Sequence, residues 1–328
     1  MTEKKPDNTE QYTAKNITFL TPREHVRRRP GMYIGGTDQR AFYHLLWEII
    51  DDALAEALSD ESPCNTITIT LLSDTQISVA DNGLGISADL DEFGKSRLEL
   101  HMTEAYSSRS IEKRQIFSVY FGVGVSSINA LSSQASIETK HAGYLWRQTY
   151  SEGLPTSTVE QVRALNPDEA TGTTITFIPD FTIMDEGLVY DYDLIVQRCR
   201  ELAYLVPNTT FHIVQDQQKT TLHALNGIID WIEAINADAV PLHPIVHTRA
   251  KSSYTKHGTK INTTLELALQ FRQSDVVVIN GYVNTIHTSN NGTHIDNLHS
   301  LLRSVIYGDD VTDKPLNGLM AIVHLHHT

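Results

Sequence analysis

The segment "AFYHLLWEIIDDALAEAL" (41–58) sets the first constraint on the fold. Its apolar residues fall at 42, 45, 46, 49, 50, 53, 54, 57 and 58, the i, i+3, i+4, i+7 spacing of a helix with one buried face. Such a stripe needs an apolar surface to lie on, and one follows at once. "NTITITLLSD" (65–74) alternates β-branched with polar residues, and "TQISVADNGLGI" (75–86) runs a second strand into a Gly-containing turn. The two read as a hairpin turning at Ser73-Asp74.

Further on, "GVGVSSINALSS" (122–133) reads as a Gly-rich turn opening a helix, and "ASIETKHAGYLWRQTYSEG" (135–153) as a hairpin with "HAG" at its turn. A loop leads to a β-rich run, "TGTTITFIPD" (171–180). "YDYDLIVQRCRELAYLVPN" (190–208) is a helix stopped by Pro207, and "TTFHIVQD" (209–216) a strand. Residues 87–121 are mixed and polar, with "YSSRSIEKRQ" as a loop. Adjacent strands interleaved with helices predict an α+β sandwich rather than a doubly wound sheet. A boundary falls near 217–240, and beyond it strands and one helix open a second α/β unit. Residues 1–20 read as an extended polar arm.

Composition narrows the function classes. Twenty-six Lys and Arg against 40 Asp and Glu give a net charge of -14, which argues against wholesale electrostatic wrapping of nucleic acid. The dense basic cluster "REHVRRRPG" (23–31) reads as a source of internal salt bridges. Two cysteines are too few for a disulfide framework and fit a reducing cytosol. No apolar run approaches the ~18 residues that span a membrane.

Three features carry possible chemistry. Glu48 and Asp52 lie four residues apart on one helix face, with His44 on the same stripe. They are either a solvated polar face or a carboxylate pair for metal and base chemistry. "DNGLGI" (81–86) ends a strand in an acid and two glycines. It is either a plain Asn-Gly turn or a place where an amine-bearing flat ligand meets Asp81. "FGVGVSS" (121–127) puts glycines before a helix start, where free N–H groups receive anions. The "HLHHT" at 324–328 reads as part of a strand rather than a metal site.

In that order, with "TGT" (171–173) entering a strand, these features resemble the Bergerat-fold (GHKL) ATPases. "RRRPGMYIGGTD" (27–38), "WRQTYSEGLP" (146–155) and "NGTHIDNLHSLL" (291–302) narrow the resemblance to the gyrase B branch, over residues 12–328. The resemblance implies an α/β-sandwich ATPase domain at 21–220, preceded by a dimer-exchange arm at 1–20. An incomplete transducer domain of ribosomal-S5-like α/β type follows at 221–328. It implies Glu48 as the general base, Asp81 on the adenine amine with Gly85 beside it, and Thr173 assisting. Gly122, Val123 and Gly124 are implied to line the phosphates, Asp52 to bind magnesium, and Tyr12, with Ile17 in the arm, to reach the partner's nucleotide. ATP and Mg2+ are the implied ligands. Homodimerisation on nucleotide binding, a topoisomerase A-type subunit, DNA and a cytoplasmic setting complete the expectation.

The chain departs from the family pattern at several points. Asp52 stands where the family has Asn, and Leu84 where it has Arg. Ser118, Val119 and Phe121 stand in the glycine-rich loop, and "AYSSRSIEK" in the lid, with Arg109 and Lys113 as its charges. These departures leave a second reading open: a degenerate relative that binds nucleotide weakly or not at all and serves as a dimerisation or partner-binding module.

Overall fold

The computed structural model describes residues 19–58, 62–104, 124–256, 259–290, 292–308 and 314–327. Helix α1 (Pro22–Arg28) starts in a reciprocal capping box: the Thr21 hydroxyl accepts from the Glu24 N–H, and the Glu24 carboxylate accepts from the Thr21 N–H. A single turn, α2 (Gly31–Ile34), leads to α3 (Gln39–Ala57), capped by Asp38 accepting from Ala41 N–H. Then come β1 (Thr66–Leu71), β2 (Ile77–Asp81), α4 (Arg97–Thr103), α5 (Gly124–Ala130), β3 (Ser132–His141), β4 (Tyr144–Ser151), β5 (Leu154–Pro155), β6 (Glu160–Ala164) and β7 (Gly172–Pro179). Next are α6 (Tyr192–Leu205), β8 (Thr210–Gln215), β9 (Gln218–Leu222) and α7 (Ile228–Ile235). The remainder is β10 (Val246–Lys256), β11 (Thr259–Phe271), β12 (Val278–Val283), β13 (Ile286–His287), α8 (Thr293–Tyr307) and β14 (Leu319–His327).

Strands β1 to β9 form one sheet in the order β5-β4-β3-β7-β2-β1-β8-β9, with β6 also on β4. All pairs are antiparallel except β1–β8. The expected hairpins stand at β1–β2 and at β3–β4, whose turn uses Ala142 at φ 50° and Gly143 at φ 83°. The stripe of α3 lies across β1 and β2 and against α5. Phe42, Leu45, Leu46, Ile49, Ile50 and Leu54 are buried there with Ile67, Ile69, Ile77 and Val79. Each such side chain contributes roughly 1.5–3 kcal/mol by leaving water, so the stripe fixes which face of α3 is left for polar work. His44 is buried within the stripe, with Nδ1 donating to the Ile34 carbonyl at 2.9 Å, so it is a core residue.

The second sheet runs β10-β11-β14-β12-β13. Helix α8 covers β12, and α7 packs on β11 and β14. Leu269, Ile295, Leu298, Leu319, Ala321 and Val323 form its inner cluster. Between the sheets, Tyr204 of α6 stacks on Trp231 of α7 at 5.1 Å, and Trp231 meets Tyr282 of β12 at 5.3 Å. Arg198 donates to the Thr285 carbonyl at 2.8 Å.

The basic run near the start is spent internally at Arg27, which donates to the Ala130 carbonyl at 2.8 Å and to Asp180 at 2.6 Å. Burial opposes the charge on Asp180, but bonds from Thr182 and Arg27 outweigh it and hold its pKa below the usual value. Two expectations needed adjustment. Residues 97–103, read as mixed and polar, form α4, and part of the loop read before 171 forms edge strands β5 and β6. No helix among the described residues is long and apolar enough to cross a membrane. Cys64 and Cys199 are free thiols, both buried.

Candidate functional site

The polar face of α3 carries Glu48, Asp52 and Glu56 at i, i+4 and i+8, all half-buried. Beside it β2 ends at Asp81. That side chain is anchored by backbone: its Oδ1 accepts from Gly83 N–H at 2.8 Å and from Thr173 N–H at 3.4 Å. Among the described residues its hydrogen bonds go to that one oxygen, which leaves Oδ2 to accept from a ligand. Burial, reinforced by Asp52 and Glu56, pushes the Asp81 carboxyl up to about 7, against the backbone bonds that favour its charge.

The turn after Asp81 is built by close backbone approach. A Cβ on Gly85, at φ +72°, would sit 2.5 Å from the Lys140 carbonyl oxygen, and one on Gly172 would sit 2.1 Å from the Asp81 carbonyl oxygen. Only glycine fits either place. Thr139 accepts from Ile86 N–H at 2.7 Å, and Thr171 donates to the Gly83 carbonyl at 2.6 Å. The edge of β3 and the start of β7 thus clamp the turn and set Thr173 against Asp81. The structure brings together Asp52, Asp81, Gly85 and Thr173, with Glu48 one turn along the same helix face. Leu84, in the place of the family's Arg, receives His141 Nδ1 on its carbonyl at 3.2 Å.

Gly124 opens α5 at φ +66°, with nothing within 4 Å of a Cβ built there. Gly122, Val123, Tyr12 and Ile17 lie outside the described residues, as do Ser118, Val119, Phe121, Arg109 and Lys113. Two residues were not singled out from the sequence. Glu56 places Oε2 2.9 Å from where a Gly83 Cβ would be. His101 on α4 brings Nε2 to 3.2 Å from Asp52 Oδ2. Burial opposes charge on this imidazole, but Asp52, then Glu56 and Asp81, outweigh it and raise its pKa. Residues 87–121 carry no periodic pattern that points to His101.

No cluster of three metal-binding side chains exists among the described residues. Magnesium is held by one or two carboxylates plus phosphates, so the donor set here, Asp52 alone, fits an ion that arrives with a nucleotide. A separate concavity of about 360 Å³, lined by Gln134, Ser136, Thr149, Ser151 and Thr176 among others, opens on the outer face of the first sheet. It has no carboxylate and plays no part in this site.

Residues 37–183 match the family of histidine kinase-, DNA gyrase B- and HSP90-like ATPases, and residues 227–309 match the DNA gyrase B family. The two matches take in the acid helix, the Asp81 turn and strands β10 to β13 of the second sheet in chain order. The chain belongs to the gyrase B branch of the GHKL ATPases. It is 36% identical to the DNA gyrase B protein of Archaeoglobus fulgidus over 296 residues, covering 88% of this chain and 45% of that one. It is 34% identical to the Thermotoga maritima gyrase B protein over 299 residues, covering 89% and 46%. The chain thus spans about half the length of the curated relatives it matches. The 43K ATPase domain of Thermus thermophilus gyrase B, solved with an aminocoumarin, superposes with a TM-score of 0.70 at 28% identity, covering 92% of this chain and 80% of that one. Gyrase B from Myxococcus xanthus shares the fold at a TM-score of 0.72 and 24% identity, covering 93% and 85%. The Bergerat-type sandwich followed by a transducer-type α/β sheet is therefore the architecture of this branch.

Proposed function

We propose that this chain is the ATP-binding and ATP-hydrolysing module of a gyrase-B-like protein of the type IIA topoisomerases. The observation that carries the reading is Asp81: a half-buried carboxylate with one oxygen fixed by backbone N–H groups and the other left to accept from an exocyclic amine. Gly85 admits the flat ring close to the backbone, and Thr173 holds the carboxylate in place. Glu48 is the general base, orienting a water toward the γ-phosphate. Gly122, Val123 and Gly124 offer backbone N–H groups to the phosphates. Asp52 is the magnesium ligand, and the ion, when bound, offsets phosphate charge.

The wider assembly is read from the family. Residues 1–20, with Tyr12, act as an exchanged arm that closes a homodimer on nucleotide binding. Residues 21–220 form the ATPase unit and 221–328 the transducer unit. A topoisomerase A-type subunit and DNA are the further partners, and the cytoplasm is the setting.

Calorimetry with a non-hydrolysable ATP analogue, with and without Mg2+, tests the reading in wild type and Asp81→Ala. Turnover in wild type and Glu48→Ala completes it. Magnesium-dependent binding that is lost in Asp81→Ala is expected. No binding at millimolar nucleotide overturns the proposal and leaves the dimerisation or partner-docking role. Turnover unchanged in Glu48→Ala removes Glu48 as the base.

A further inference from the structure

The acid at position 52 poses a problem that the rest of the site answers. A carboxylate at the mouth of a triphosphate site presents two charged oxygens to an anionic ligand. The residue facing it comes from another element. His101 lies in the last turn of α4, a helix started by Ser96 accepting from Glu99 N–H and seated by buried Leu98 and Met102. Asn129 of α5 donates to the Met102 carbonyl at 2.8 Å and ties down the end of that helix. The imidazole side chain is only 10% exposed, and its Nε2 reaches Asp52 Oδ2 at 3.2 Å. Nε2 is buried, and the nearest acid it faces is that one oxygen of Asp52. Asp52 itself is 30% exposed, so it also faces solvent.

We propose that His101 is a positioning residue for nucleotide binding: it covers one carboxylate oxygen of Asp52, so that the side chain offers the incoming magnesium nucleotide a single outward oxygen. Covered in this way, the acid serves the ligand as a side-chain amide would, with one acceptor facing outward. The inference rests on the nucleotide-binding reading above. It assigns His101 no contact with the reacting atoms.

A double-mutant cycle tests it, with His101→Leu, Asp52→Asn and the pair, titrated by calorimetry with a non-hydrolysable ATP analogue in Mg2+. His101→Leu fills the space without a donor, while His101→Gln keeps an N–H at similar reach. With Asp52 present, His101→Leu weakens binding about 10-fold, and His101→Gln recovers most of that loss. Combined with D52N, His101→Leu changes affinity less than about two-fold. Thermal unfolding without nucleotide checks that every variant is folded; if His101→Leu is not, His101→Met, which also lacks a donor, takes its place in the cycle. Equal losses with and without D52N, or no loss in either, overturn the inference alone. Absence of binding in all proteins, wild type included, overturns the nucleotide reading and this inference with it.

Discussion

Asp81→Asn separates what the site costs the fold from what it does for a ligand. The side chain keeps its shape and an oxygen for the Gly83 and Thr173 N–H groups, but it no longer needs to be charged. A carboxyl moved from 3.8 to about 7 corresponds to about 4 kcal/mol at 1.36 kcal/mol per pH unit. Water at the open side of the site and a high effective dielectric reduce this to roughly 2 kcal/mol. The sign follows from the raised folded pKa. The protonated carboxyl contributes fully below about pH 4, where both states carry the proton. That contribution is lost as the pH rises to about 7, because the unfolded chain ionises first, and it stays lost above. Asp81→Asn therefore gains little near pH 4 and most above pH 7, where the melting temperature rises by about 3 °C. At pH 5 the gain is about a third of that. The same substitution turns an N–H2 toward the ligand's amine and weakens ATP-analogue binding by about 10–100-fold. Melting curves at pH 5 and pH 8, with calorimetric titrations, read both effects. A lower melting temperature at pH 8, or an equal gain at the two pH values, refutes the picture of a buried, repelled carboxylate.

Nucleotide binding requires ionised Asp81, so at pH 7 it releases about half a proton per site; titrations in buffers of different ionisation enthalpy measure the release, and zero release contradicts the assignment. Glu48→Gln lowers turnover about 100-fold or more with analogue affinity close to wild type, read by single-turnover assay. Gly85→Ala, at φ +72° and 2.5 Å from the Lys140 carbonyl oxygen, costs about 3 kcal/mol or more in urea unfolding. Arg27→Ala removes the cation from Asp180, which keeps its bonds from Thr182, and costs about 2–3 kcal/mol by the same measurement.

The sequence made α3 legible because its period is sustained over 19 residues, long enough for a buried stripe to show. The β1–β2 and β3–β4 hairpins were legible through alternation and turn residues. Helix α4 has seven residues and buries Leu98 and Met102, too few to make a pattern. Strand β6 is exposed at all five positions, so nothing alternates. The acids of α3 and Asp81 were readable as candidates because each sits in a local motif. Their environment was not, since it depends on parts distant in the chain. The pairing of β1 with β8 sets Thr66 beside Thr210, and the clamp on the Asp81 turn comes from Thr139 and Thr171. His101 had no local signal at all, because its meaning comes from Asp52, 49 positions earlier.

The three rings between the sheets have a thermodynamic consequence. Tyr282 belongs to one continuous apolar cluster that also takes in Ile228, Ile232, Met320 and Ile322, Trp231 packs against it, and Tyr204 stacks on Trp231. Neither sheet can lose its structure without stripping the lining of the other, so heat should melt the chain in one calorimetric peak. Severing it between Leu222 and Ile228 would yield two fragments, each with a sticky, water-facing wound where an indole had been clasped.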